Sequence, residues 1–166
     1  MKKFLLVSCL LFIIGVGCKK ENVGGGGLCA CSPILSPELN LVVKNGAGTD
    51  LLNQQNTGAF TTERISVYRK DATGKIIPIS FAVRPPFSYG NETFGFHFLT
   101  VGNLDFLQKA PGEAIYLKLG DQEARELRVQ FNTQRYAVDK LLIGGQEAPK
   151  DTGTVSKYTS IFYLTE

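Results

Sequence analysis

IYLKLGDQEARELRVQFN, residues 115–132, decides the fold. Ile115, Leu117 and Leu119 alternate with Tyr116 and Lys118. After Gly120 and Asp121 the alternation resumes, with Leu127, Val129 and Phe131 set against Glu126, Arg128 and Gln130. A period of two places one set on each face of a strand, so the stretch reads as a hairpin with one buried face. Facing Leu117 with Leu127 would set Lys118 opposite Glu126 on the solvent side. A slip of one residue would expose the whole apolar set, so the alternation constrains the register.

The same period recurs on both sides of the hairpin. Leu39, Leu41 and Val43 alternate up to a turn at Asn45-Gly46. Residues 50–63 are polar and loop-like. Ile65 and Val67 form the next alternation, followed by a turn across Asp71 to Lys75. Ile77, Ile79, Phe81 and Val83 share one face of a further run. Pro78 within it cannot donate to a ladder, which predicts an edge strand or a bulge. Phe94, Phe96 and Phe98 share a face, with Gly95 and His97 opposite. Asn103 to Lys109 reads as a short helical turn capped by Asn103 and stopped by Pro111-Gly112. Val138 to Ile143 and Tyr158 to Leu164 supply two more strands. Seven or eight short strands with almost no helical period predict an all-β domain, an antiparallel β-sandwich of immunoglobulin-like type. A small β-barrel is the alternative.

The start of the chain is of another kind. MKKFLLVSCLLFIIGVGCKK opens with Lys2 and Lys3 and continues as an apolar run from Phe4 to Val16. Those thirteen residues would make a helix of roughly 20 Å, short of the ~30 Å hydrocarbon core. Charge, apolar run and the small residue Gly17 follow the order of a secretory signal. The Gly17-Cys18 junction resembles the lipobox of bacterial lipoproteins. Gly15 departs from the Leu, Val or Ile that family favours three residues before the cysteine. The resemblance implies removal of residues 1–17 and lipidation of Cys18, with several acyl chains (palmitate among them), because one chain alone anchors marginally. Residues 18–37, with four glycines from Gly24 to Gly27 and then Pro33 and Pro37, read as a flexible tether. The β-sandwich domain is then residues 38–166. Its strand layout is similar to that of small uncharacterised lipoproteins of Gram-negative envelopes. That likeness implies a cell-envelope location at the outer membrane and no particular activity.

Charge and cysteine usage narrow the classes further. The chain carries 18 basic and 15 acidic residues, but four lysines precede Ser32, and beyond it 14 basic residues balance 14 acidic ones. No basic stretch remains for nucleic acid. Cys9 falls in the signal. Cys29 and Cys31, spaced by one residue, either stay free, pair between molecules, or close a small strained ring. Two thiols with no nearby His do not close a tetrahedral metal site.

Catalytic equipment is not evident. The chain has one histidine, His97, which its phenylalanine neighbours place towards solvent or in a second layer. There is no Gly-x-Ser-x-Gly elbow and no phosphate-binding loop. Glu123 and Glu126 read as solvated turn residues. No cofactor and no metal are expected, and the protein reads as non-enzymatic.

FAVRPPFSYGNETF, residues 81–94, is the candidate partner-binding stretch. Arg84, Phe87 and Tyr89 lie in a loop stiffened by Pro85 and Pro86, and rigid aromatics with an arginine are what binding hot spots use. The competing reading folds Phe87 and Tyr89 back over the core. The functional expectation is a membrane-anchored lipoprotein, held by lipid on Cys18, that binds an envelope protein or a glycan. The alternative is a structural component of an envelope assembly with no ligand of its own.

Overall fold

The computed structural model describes residues 36–109, 113–132 and 137–166. The expected signal peptide, Cys18, Cys29, Cys31, the tether up to residue 35 and the Pro111-Gly112 stop lie outside the described residues. The order is β1 (Leu39–Lys44), β2 (Ile65–Lys70), β3 (Ile76–Pro78), β4 (Phe81–Arg84), β5 (Phe87–Tyr89), β6 (Glu92–Phe94), β7 (Phe98–Val101), α1 (Asp105–Lys109), β8 (Ile115–Leu119), β9 (Arg125–Asn132), β10 (Ala137–Ile143), β11 (Gln146–Glu147) and β12 (Ile161–Thr165). No helix among the described residues is long and apolar enough to cross a membrane.

Two sheets face each other. One has the order β12-β1-β7-β4, the other β11-β10-β9-β8-β2-β3, and β5 pairs with β6 as a separate hairpin. Leu39, Leu41 and Val43 of β1, Leu99 and Val101 of β7 and Phe162 and Leu164 of β12 point inward. They meet Ile65 and Val67, the leucines of β8, Leu127, Val138 and Leu141 from the other sheet. Each leucine fully removed from water contributes about 1.5–3 kcal/mol relative to exposure. Both sheets end in unclosed edge strands, so the domain is a β-sandwich and not a barrel. β1 and β12 pair in parallel, whereas the other ladders are antiparallel.

The strands outnumber the expected seven or eight because several runs are divided. The run from Ile77 to Val83 changes sheets at Ile79-Ser80. Pro78 ends β3 as an edge strand of the six-stranded sheet, and Phe81 begins β4 in the other. Its alternation looks continuous because both segments turn their apolar side to the same interior. In β10 the register shifts between Val138 and Lys140. Without that bulge Val138 and Leu141, three residues apart, would point to opposite faces; with it both are buried.

The β8–β9 hairpin forms, with a register different from the one expected. Ile115 faces Leu127, Tyr116 faces Glu126 and Leu117 faces Arg125. The offset of two moves the centre of the turn by one residue and leaves every side chain on its expected face. Lys118 pairs with Ser66 on β2 instead. Gly120 takes φ 57, a left-handed conformation that glycine adopts without strain and other residues rarely do.

Candidate binding surface

The outer face of the four-stranded sheet is half covered. Val42 and Ile161 project there and are fully buried by Phe94 of the β5–β6 hairpin and Val155 of the 3-10 turn Thr154–Lys157. β1 is therefore buried on both faces. The stretch expected to be a loop, residues 84–92, holds β5, the turn and the start of β6. Phe87 faces Phe94, Ser88 faces Thr93, and Tyr89 faces Glu92, with Gly90 and Asn91 at the turn.

That register separates the three candidate residues. Phe87 turns inward, its ring 5.7 Å from those of Phe94 and Phe98. It is half-buried and acts as a lid on the second apolar cluster. Tyr89 lies further along the same hairpin face, past the covered sheet, and stays 57% exposed. Arg84, opposite Phe98 at the end of β4, is exposed and has no ion-pair partner among the described residues. Arg84, Pro85 and Phe87 line one groove of about 410 Å³ together with Glu38 and Phe98.

The floor of that groove is polar and ordered. Asn40, only 4% exposed, donates from Nδ2 to Thr159 Oγ1 at 2.8 Å and to the Ser160 carbonyl at 3.3 Å. Thr100 Oγ1 donates to Asn40 Oδ1 at 2.9 Å. A buried amide with its bonds made stabilises one arrangement, and here it ties β1 and β7 to the segment before β12. Thr159 borders this groove and also a second depression beside Lys150 and Lys157, while Tyr158 borders that one and a third, near Tyr89. The segment Tyr158-Thr159-Ser160 thus separates three concavities.

Tyr158 went unrecognised in the sequence, where it reads as the start of a strand. It follows the 3-10 turn instead, and β12 begins at Ile161. The residue is 65% exposed, and its ring centroid lies 4.4 Å from that of Tyr89. His97 does not face solvent freely. Its Nδ1 lies 2.8 Å from Asp50 Oδ2, a distance that suits an Nδ1–H donor, and its backbone N–H donates to the same oxygen at 2.8 Å. Asp50 Oδ1 accepts from the Leu52 and Asn53 N–H groups. Among the described residues no hydroxyl or thiol hydrogen-bonds to His97, so the pair anchors the loop after β1. No cluster of three or more His, Cys, Asp or Glu side chains with metal-binding geometry occurs among the described residues.

No family model, curated protein or solved structure matches the chain. The functional reading therefore rests on the chain's own geometry.

The different settings of Phe87 and Tyr89 predict different damage. Phe87→Ala should lower unfolding stability by about 2 kcal/mol, less than the ~3–5 kcal/mol of a fully buried ring. Tyr89→Ala should change it by less than about 0.5 kcal/mol, as an exposed site does. Urea unfolding of both variants checks this, and equal losses would contradict the assignment of lid and contact.

Proposed function

We propose that this protein is a non-enzymatic lipoprotein, anchored to the envelope membrane through Cys18, whose β-sandwich binds a protein or glycan partner. The observation that carries the binding role is the surface around Tyr158-Thr159-Ser160. Exposed Arg84, Tyr89 and Tyr158 border concavities whose walls and floor are already ordered. Prearranged side chains lose little entropy on contact. Anchorage is supported by the order of charge, apolar run, Gly17 and Cys18 at the start of the chain. An outer-membrane position follows from the lipoprotein resemblance.

Two measurements test the two halves of the reading. Cys18→Ala should move the protein from the membrane pellet to the soluble fraction; retention in the pellet would remove the anchor. A photo-crosslinking residue at position 89 should capture a discrete partner in intact cells, and the same residue at exposed Lys118, on the opposite sheet, should not. Equal yields from both positions would remove the binding surface.

A further inference from the structure

The uncovered part of the outer face of the four-stranded sheet is the groove of about 410 Å³, within the ~300–1,000 Å³ typical of ligand sites. Asn40 and Thr100 form its floor, and Pro85, Phe87 and Phe98 border it on the hairpin side. Thr100 pairs with Asn40 on one edge and with Ala82 on the other. Glu38 lies two residues before Asn40, and Arg84 two residues after Ala82. β1 and β4 run in the same direction, since each is antiparallel to β7. The two charges therefore start from opposite corners of the groove. Their Cα atoms are roughly 16 Å apart, for strands ~4.8 Å apart and a rise of ~3.4 Å per residue. Both residues are exposed, and neither has an ion-pair partner among the described residues. Among the described residues no other charged side chain lines the groove, so its net charge is zero.

The floor keeps hydrogen-bonding capacity although it is ordered. Asn40 uses both amide protons, on Thr159 Oγ1 and on the Ser160 carbonyl. Thr159 Oγ1 is the acceptor there, which leaves its own proton to give. Thr100 Oγ1 gives its proton to Asn40 Oδ1 and keeps its lone pairs. One hydroxyl can therefore donate into the groove and the other accept. The backbone groups of the floor are occupied, because β1 and β7 are each paired on both edges.

These features discriminate among ligands. A net charge of zero favours neither an anion nor a cation. An extended peptide is gripped chiefly through main-chain bonds, and the floor has no backbone group free. An apolar chain would leave Arg84, Glu38 and both hydroxyls without partners. A pyranose ring suits all of them. Its C–H face packs on aromatic rings, and its hydroxyls both donate and accept. Phe87 and Phe98 are half-buried and line the groove with what remains open. A guanidinium fork presents paired donors to neighbouring hydroxyls, and a carboxylate presents paired acceptors. We infer that this groove binds a neutral glycan, its pyranose rings against Phe87 and Phe98 and its hydroxyls bonded to Arg84, Glu38, Thr100 and Thr159. Pro85 and the packing of Phe87 on Phe94 and Phe98 fix the wall beforehand, so little ordering entropy is lost. The inference rests on the proposed binding role and narrows its partner to a glycan.

The experiment follows backbone and side-chain amide resonances of the full-length protein during titration with neutral trisaccharides: triacetylchitotriose, cellotriose, maltotriose and mannotriose. Saturable shifts centred on the Asn40 side-chain amide, Thr100 and Thr159 are expected with at least one of them, at a dissociation constant of about 1 mM or below. Glycerol and a trialanine peptide blocked at both ends are the controls and should give none. Arg84→Ala and Glu38→Ala, at exposed sites without partners, should leave the fold intact. Each should raise the constant ~tenfold, the loss of a hydrogen bond to a charged group. Tyr89→Ala should leave it unchanged. No saturable shift in the groove with any of the sugars, an equal response to glycerol or the peptide, or undiminished binding by the Arg84→Ala, Glu38→Ala double variant would overturn the inference. A partner captured through position 89 by a protein that responds to no sugar would also overturn it, and would leave the proposed binding role standing with a protein as the partner.

Discussion

Asp50→Ala is expected to lower the unfolding free energy by about 3–5 kcal/mol, because it leaves several buried hydrogen-bond donors without their acceptor. The carboxylate is 10% exposed and accepts from the Leu52, Asn53 and His97 backbone N–H groups and from the His97 ring. Removing it strands three backbone donors and the imidazole in a site that little water reaches, and each unsatisfied buried donor costs about 1–3 kcal/mol. It also releases the loop that presses Leu51 and Leu52 into the core. His97→Ala should be milder, about 1–2 kcal/mol, because a smaller residue there keeps its N–H and Asp50 keeps three backbone partners. Urea unfolding at neutral pH measures both. Asp50→Ala costing under about 1 kcal/mol, or no more than His97→Ala, would show that the carboxylate does not organise this loop.

Phe162→Ala is expected to cost ~3–5 kcal/mol, as truncation of a fully buried ring does. The side chain is 1% exposed and fills the interior beneath β1. Its strand is locked on both edges. β1 pairs with it from Asn40↔Ile161 to Lys44↔Thr165. On the other side the Asp151 N–H donates to the Ile161 carbonyl, and the Tyr163 N–H donates to that of Pro149. With both edges bonded the backbone cannot collapse into the void, so the cavity should persist. A fall of roughly 10–20 °C in Tm is expected for a domain of this size. Calorimetry checks it, and a fall below about 5 °C would mean that the core repacks.

Much of the sandwich was legible because alternation reports which face is buried. What alternation cannot report is also visible. A shift of two in the β8–β9 register leaves every face unchanged, so the pattern fits both pairings and the turn geometry around Gly120 decides between them. The run from Ile77 to Val83 keeps its period while crossing between sheets, because the period follows the core and not the sheet. Phe87 and Tyr89 look alike in sequence. Their fates differ because the hairpin extends past the edge of the covered surface between them. Asp50 and His97 are 47 positions apart, and no local signal links them. Tyr158 begins an apolar-polar run that also suits a strand, and only the preceding 3-10 turn sets it outward. The candidate surface was therefore half readable: its composition was on one segment, its geometry on two.

β1 and β12 lie side by side although Asn40 and Ile161 are separated by nearly the whole domain. This arrangement governs the order in which the domain can fold. β1 is made first, and everything that shields its outer side comes later: β5–β6, then the 3-10 turn, then β12. Contacts between distant residues form slowly, because a long loop must close before they reward it. Until then LNLVVK is an apolar strand with one hydrogen-bonding edge unpaired, the kind of segment that recruits other chains. A chain emerging gradually from a ribosome would spend the whole interval in that condition. During synthesis this edge of β1 is therefore expected to stay open until β12 docks.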